Sequence, residues 1–544
     1  MNASTRHPKA LPFLFFSEMW ERFGYYLMIG IFTLYLKDVK EGFAMTEAES
    51  ADLYGTFIAL VFLTPFLGGL LADRYFGYRK SIIAGGLLMG IGYCMMGIHS
   101  KPMLYVAMTL VILGNGFFKP NISTLLGNVY STDEHRHMKD DGYNIFYMGI
   151  NIGAFICNFF GAALQIMLGW SWAFMAAGVG MFIGIFIFLA GTKHYAAFDQ
   201  KKPPQPGDMP LSRIVMLILL PSVAAGIVGW LLPSNIFGSD STDAFIFSCI
   251  PVVYFYTNLY VKAEAHEKRP IASLLAIFAV VTLFWAVFKQ NGSALNTWAD
   301  RYTDRSVSGT QKDVFSTLKF SKDLVYAKDS VESYDAAFRL QKENGQVVKV
   351  WDYPIYFRNV HEEKRPAEAS TVSVWSTNLS QSINPGWVIL LTPLVVAFFT
   401  FLRRRNAEPT TPTKIALGLL ISGLSALVMY AAVQAGHNGA EKVSVWWLIM
   451  SYGVITIGEL FLSPMGLSIV SKLSPPRITA LMMGGWFLST SIGNKLSGVL
   501  ASMWDQYEDK GNFFLVNVAL LMAAFLIMLA MLRWNNRIFK EYVK

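Results

Sequence analysis

The sequence predicts an all-α, polytopic membrane protein of about 14 spanning helices, built as two six-helix bundles with a two-helix hairpin inserted between them. Three observations predict it. Apolar runs of about 20 residues recur from one end of the chain to the other, each long enough to cross a hydrocarbon core ~30 Å thick as a helix. Of the 544 residues, 53% are hydrophobic and only 15% charged, with a mean hydropathy of +0.40, too little polar surface to keep such a chain dispersed in water. The basic residues, which give a net charge of +8, gather between the apolar runs as in cytoplasmic loops. The charge therefore points to membrane lipid and not to nucleic acid.

The elements follow in order. The first run, near 13–36, has a basic start but contains Glu18, Glu21 and Arg22, which the core of a secretory leader excludes; it is predicted as a retained first span. Further runs near 50–72, 80–98, 103–126, 142–168 and 171–190 complete a first bundle over 1–192. A Lys- and Pro-rich linker from Lys193 to Pro210 leads to spans near 211–232 and 242–262, the hairpin of a segment 193–270. The second bundle takes 271–298 and, within 381–544, runs near 381–402, 413–434, 444–471, 479–502 and 512–534. Residues 299–380 are polar and aromatic, with no spanning run, and read as an extracytoplasmic insertion, partly helical. One set of loops carries Arg74, Arg79 and Lys80; Arg136 and Lys139; Lys201 and Lys202; Arg403, Arg404 and Arg405; Lys472 and Arg477; and Arg537 and Lys540. The other set is acidic or neutral, as at Glu47 to Asp52 and Asp505 to Asp509. Both termini are expected in the cytoplasm, which an even number of spans allows.

Two six-helix halves around a central cavity make the major-facilitator architecture, with the substrate near the bilayer midplane. The stretch Gly69 to Lys80 resembles the motif that joins the second and third helices there: glycine permits a tight turn, and Asp73 is placed to cap or pair across the half-bundle. Cys94, Cys157 and Cys249 all lie in apolar runs, without disulfide or metal-ligand spacing. No nucleophile–base constellation or phosphate-binding glycine loop stands in a suitable context, so neither an enzyme nor a cofactor is expected.

A charge at the bilayer centre costs about 2.5–3.5 kcal/mol on insertion scales, and those that persist face a partner or a watery path. Glu18, Glu21 and Arg22, at offsets of three and four, share one helical face. Two carboxylates beside one guanidinium leave one free to exchange a proton. In Gly114-Asn115-Gly116-Phe-Phe-Lys119-Pro120-Asn121, the proline loosens the helix next to a buried amine. In Gly458-Glu459-Leu-Phe-Leu-Ser463-Pro464, Glu459 sits in mid-span, and Lys119 of the opposite half is its candidate partner. A pair that forms in one state and parts in another would be a gate.

Together these segments resemble the proton-dependent oligopeptide transporter family. Glu18-x-x-Glu21-Arg22-Phe-Gly-Tyr25-Tyr26 is similar to its first-helix signature, and Phe146-Tyr147-Met-Gly-Ile-Asn151-Ile-Gly153 to its fifth. Lys119-Pro120-Asn121, Phe284-Trp285, Gln381-Ser-Ile-Asn384-Pro385, the Gly458-Glu459 segment and Gly484-Gly-Trp486-Phe487 also match, almost throughout the spanning chain. The resemblance implies a proton-coupled importer of di- and tripeptides in a bacterial inner membrane, working as a monomer with protons as its coupling ion and no cofactor. It implies that Glu18, Glu21 and Arg22 couple proton to peptide, and that Lys119 receives the peptide carboxylate and Glu459 its amine. Tyr25, Tyr26, Tyr147, Asn151, Trp285, Gln290, Asn384, Ser463 and Trp486 would complete the binding site, with Trp486 lining an apolar side-chain pocket.

The departures are equally specific. Many members have a second arginine in the first helix, where Ile29 stands here, and an acid where Lys289 stands in Phe288-Lys289-Gln290-Asn291-Gly292. Lys289 is thus expected to supply the positive charge the first helix lost, and to join the binding site. Gly55 and Phe62 replace a histidine and a tyrosine found in other members, and Lys495 is a further cation, read as reaching for the interface. These changes keep two alternatives open: a carrier of another solute (nitrate, an amino-acid conjugate or a glycoside), and a membrane sensor with 299–380 as its binding module.

Overall fold

The computed structural model describes residues 6–135, 138–199, 210–233, 235–335, 338–475 and 478–542. The helices of the first half are α1 (Ala10–Lys37), α2 (Glu47–Leu71), α3 (Tyr78–Met96), α4 (Lys101–Val129), α5 (Lys139–Leu168) and α6 (Trp170–Ala190). The hairpin is α7 (Leu220–Trp230), entered through a π segment Val215–Leu219, and α8 (Asp240–Lys262). The second half has α9 (Ala265–Phe288), α10 (Ile383–Arg404), α11 (Thr411–Ala435), α12 (Val445–Leu473), α13 (Thr479–Ser502) and α14 (Lys510–Tyr542). Eleven helical segments among the described residues are long and apolar enough to cross a membrane. Arg136, Lys201, Lys202 and Arg477 lie outside the described residues, as do the side chains of Asp73, Arg74 and Lys139.

Two separate buried clusters underlie the two halves. One runs from Ala10 to Tyr195 through α1–α6. The other gathers α9 and α11–α14, and takes in Ile214, Ile218 and Phe255 of the hairpin. Within the first half α1 packs on α5 and α6, and α4 on α2 and α3; within the second α11 packs on α12 and α14, and α9 on α13 and α14. The halves meet where α2 crosses α13 and α5 meets α10. The α2–α13 crossing needs glycine: a Cβ on Gly55 would lie 2.7 Å from the Gly498 Cα.

Local chemistry sets the helix ends. Thr46 and Glu49 close a reciprocal capping box at the start of α2. Pro120 lies inside α4, which runs through it. Proline removes the donor to the carbonyl four residues back, Gly116, and a Cβ on Gly68 of α2 would come within 1.9 Å of that oxygen. The carbonyl that proline leaves without its helical donor thus lies at a close backbone approach between α2 and α4. Gly77 has φ +79 at the turn into α3, as the motif required. At this turn Asp199 Oδ1 accepts from the Tyr78 N–H at 2.7 Å and the Arg79 N–H at 3.3 Å.

One expectation about the fold is corrected. The span 271–298 is not one helix: α9 ends at Phe288, a 3-10 turn covers Lys289–Gly292, and a second helix runs Ala294–Arg301. The insertion is partly helical, at Gly309–Thr317 and in short 3-10 turns, and also carries short strands. Strands β1 (Ser306–Val307), β2 (Ser321–Val325), β3 (Asp329–Glu332), β4 (Lys342–Glu343), β5 (Gln346–Val347), β6 (Lys349–Asp352) and β7 (Thr371–Trp375) pair antiparallel as β1-β7-β2, β3-β6 and β4-β5. Its small core is Tyr326, Tyr356, Phe357 and Val374. It is fastened to the second half through backbone bonds, Asp304 N–H to Val443 O at 2.8 Å and Lys442 N–H to Asn359 O at 2.9 Å. Phe320 meets Phe159 of the first half, ring centroids 5.3 Å apart.

Candidate functional site

The charges of α1 form one buried cluster, with Glu18, Glu21 and Arg22 2%, 0% and 2% exposed. Arg22 donates through Nε and Nη2 to both oxygens of Glu21, the bidentate geometry that fixes a guanidinium most firmly. Its Nε is also 3.3 Å from Glu18 Oε1. Nη2 donates to Asn115 Oδ1 at 3.3 Å, and Asn115 in turn donates to the Val61 carbonyl at 2.9 Å. Asn115 is a residue sequence reasoning quoted without giving it a role. The two carboxylates are not equivalent. Glu21 is committed to Arg22, whereas Glu18 Oε2 is buried without a hydrogen-bond partner.

The second group lies where the halves meet. The Lys119 ammonium is 4.5 Å from the Phe62 ring centroid, and the Lys289 ammonium is 5.0 Å from the same centroid. Lys289 is also 5.8 Å from the Trp285 ring. Glu459 accepts a 3.4 Å hydrogen bond from Asn384 Nδ2, which also donates to Thr456 Oγ1 at 2.8 Å. The expected Lys119–Glu459 pair is not formed. The cation acting on Glu459 is Lys289, and the carboxylates acting on Lys119 are Glu21 and Glu18. Lys289, brought in by the break after α9, takes the place foreseen for Lys119.

The remaining candidates divide. Tyr26 and Tyr147 both lie within electrostatic range of Glu459, and Tyr147 is 43% exposed. Asn151 donates to the Tyr147 carbonyl at 2.9 Å. Trp285 Nε1 and Ser463 Oγ are buried without partners. Tyr25 is 2% exposed beneath Arg22, which sits 5.0 Å from its ring centroid, so it supports the cluster from behind. Gln290 is committed to a reciprocal amide pair with Asn517 of α14, at 2.9 and 3.0 Å, and holds the helix break instead of offering its amide to a ligand. Trp486 packs against Gly466 and Phe278 inside the second half, leaving no open face in this state.

One side of the interface is closed. Lys495, 1% exposed, does not reach for the membrane surface: it donates to Asp52 at 2.6 Å, Thr56 at 2.7 Å and Ser241 at 2.8 Å, joining α13 to α2 and α8. Lys37 donates to Glu47 at 2.9 Å and Thr297 at 2.8 Å. Thr33 donates to the Gly292 carbonyl at 2.8 Å, Ser382 to Phe155 O at 2.7 Å and Ser491 to Ala59 O at 2.7 Å. Among the described residues, the hydrogen bonds between the two six-helix halves all lie from mid-membrane toward the insertion. Sequence reasoning missed this seam because its parts are ordinary serines, threonines and backbone carbonyls. The available signal was the acidic Glu47–Asp52 segment opposite a lone lysine in α13.

Against known proteins, the chain matches the family model PTR2, described as POT family, over residues 79–319 and 373–516. The unmatched stretch between them falls within the insertion. It is 27% identical over 534 residues to the uncharacterized transporter YclF of Bacillus subtilis (strain 168), covering 94% of this chain and 92% of that one. It is 29% identical to dipeptide and tripeptide permease A of Proteus mirabilis (strain HI4320), covering 93% and 88%. Among solved structures, the peptide transporter POT in complex with sulfate superposes with a TM-score of 0.75 at 27% identity, over 99% of this chain and 97% of that one.

Proposed function

The chain belongs to the POT family, and on that premise we propose that it imports di- and tripeptides together with protons by alternating access. The observation that carries this reading is the row of charges across the middle of the interface: buried Glu18, Glu21 and Arg22 with half-buried Lys119 from the first half, and half-buried Lys289 and Glu459 from the second. A peptide is a zwitterion, so each of its ends meets an opposite charge, the carboxylate at Lys119 and the ammonium at Glu459. Tyr26, Tyr147 and Trp285 beside them accept varied side chains without demanding a particular hydrogen bond. The relatives named as di- and tripeptide permeases support the same substrate class.

Proton coupling rests on the unequal carboxylates of α1. In this reading Glu18, with its free oxygen, takes the proton, while Glu21 keeps Arg22 in place. In this reading both termini lie in the cytoplasm of a bacterium and the insertion outside, an orientation the basic loops favour. The seam built on Lys495 and Asp52 is then the outer gate, closed here, and a single chain holds the whole path. A ligand competition panel tests the substrate class. Unlabelled di- and tripeptides are expected to displace a labelled dipeptide from the purified protein, whereas nitrate, amino-acid conjugates and glycosides leave it bound. Displacement by one of the latter with none by peptides would replace this reading with that of a different solute carrier.

A further inference from the structure

Two ammonium groups share one aromatic ring at the centre of this protein. Lys119 of α4 and Lys289 after α9 stand 4.5 and 5.0 Å from the Phe62 centroid, one from each half. A ring face attracts a cation, but it carries no net charge and cannot neutralise two. Among the described residues, no carboxylate lies within 4 Å of either lysine. The anions acting on them are Glu21 and Glu18 for Lys119 and Glu459 for Lys289, while Arg22 is a third cation acting on both. Around Phe62 the cations Arg22, Lys119 and Lys289 thus stand between the carboxylates of the two halves. Like charges gathered in a low-dielectric site repel unless an anion comes between them.

The backbone holds Lys289 there. Gln290 is pinned by Asn517, and Gly292 O accepts from Thr33 Oγ1 at 2.8 Å. Thr33 is one helical turn from Ile29, so the 3-10 turn brings Lys289 beside α1 at the level where that helix offers only an apolar side chain. The turn admits little variation: a Cβ on Gly292 would sit 1.9 Å from the Tyr54 hydroxyl.

We propose that the substrate carboxylate is taken between Lys119 and Lys289, one oxygen to each ammonium, so that it ties the first half to the second. This deepens the peptide reading and rests on it. Lys289 acts on Glu459 while the site is empty. Drawn to the carboxylate, it leaves Glu459 to the substrate's own ammonium, so the two ends of a peptide assist each other's binding. A lysine in the turn after α9 is then a determinant of specificity for ligands with a free acid terminus.

The test compares a dipeptide with its C-terminal amide, binding each to wild type and to Lys289→Gln. Losing a charge-assisted bond is expected to weaken the free acid roughly ten- to hundred-fold, while the amide changes no more than about two-fold. Lys289→Arg should retain the acid preference. Should the glutamine variant not be recovered, Lys289→Met serves the same comparison. Equal loss for acid and amide would reduce Lys289 to a counter-charge for Glu459 and overturn the proposal, as would an unchanged affinity for the acid. A wild type that binds neither ligand would instead remove the peptide reading itself.

Discussion

Glu459→Gln is expected to weaken binding of peptides with a free amino terminus by roughly 100-fold, about 3 kcal/mol, and to weaken their N-acetylated counterparts far less. The substitution keeps shape and hydrogen-bonding capacity and removes only the charge. Glu459 stands in mid-membrane, with a long 3.4 Å bond from Asn384 as its neutral partner. Its position is fixed by close packing of α11 and α12, since a Cβ on the neighbouring Gly458 would lie 2.1 Å from Ser422 Oγ. The neutral amide should therefore sit where the carboxylate did. What changes is the compensation for a desolvated ammonium. A blocked amine has no charge to compensate, so its loss should be a few-fold at most. Displacement binding with the two ligand series reads this directly, and an equal loss for both would remove Glu459 from amine recognition.

Glu18→Gln is expected to abolish peptide accumulation driven by an inward acid gradient while sparing peptide–peptide exchange across the same membrane. The reasoning is geometric. Glu21 is bound through both oxygens to Arg22, whereas Glu18 has one oxygen 3.3 Å from Arg22 Nε and the other buried without a partner. Only Glu18 can gain or lose a proton without dismantling the guanidinium's main contact. Glutamine at 18 mimics the protonated carrier permanently, so the conformational change can run loaded in both directions but is no longer coupled to pH. Glu21→Gln should differ. It strips a buried guanidinium of its bidentate partner, at a cost of about 3–5 kcal/mol, and should appear as lost thermal stability before any question of coupling arises. Gradient-driven accumulation that survives Glu18→Gln would contradict this division of roles.

The sequence made the fold class and the charged residues legible because both follow from the bilayer. A spanning helix must be apolar, so Glu18, Glu21, Arg22, Lys119, Lys289 and Glu459 stand out against their surroundings. Pairing among those charges was not legible. Period and spacing say which face of a helix a residue occupies, but not which residue of another helix meets it. Lys119 was therefore matched to Glu459 when Lys289 is the cation acting there. The cause is a helix break after Phe288 that no proline announces and that the Gln290–Asn517 pair sustains from another helix. Pro120 was legible as a residue, but the close approach of Gly68 to the carbonyl it leaves free, that of Gly116, was not. The insertion's strands run from two to five residues, too short to show clear alternation. The seam around Lys495 is assembled largely from small polar side chains that look like any loop or helix surface.

The central claim is that peptide and proton cross together, and it is tested most directly in proteoliposomes enclosing a pH-sensitive dye, with no imposed gradient. Dipeptide added outside is predicted to acidify the interior in step with its own accumulation, and wild type without peptide should leave the dye unchanged. Peptide that accumulates while the interior pH stays constant would contradict the account.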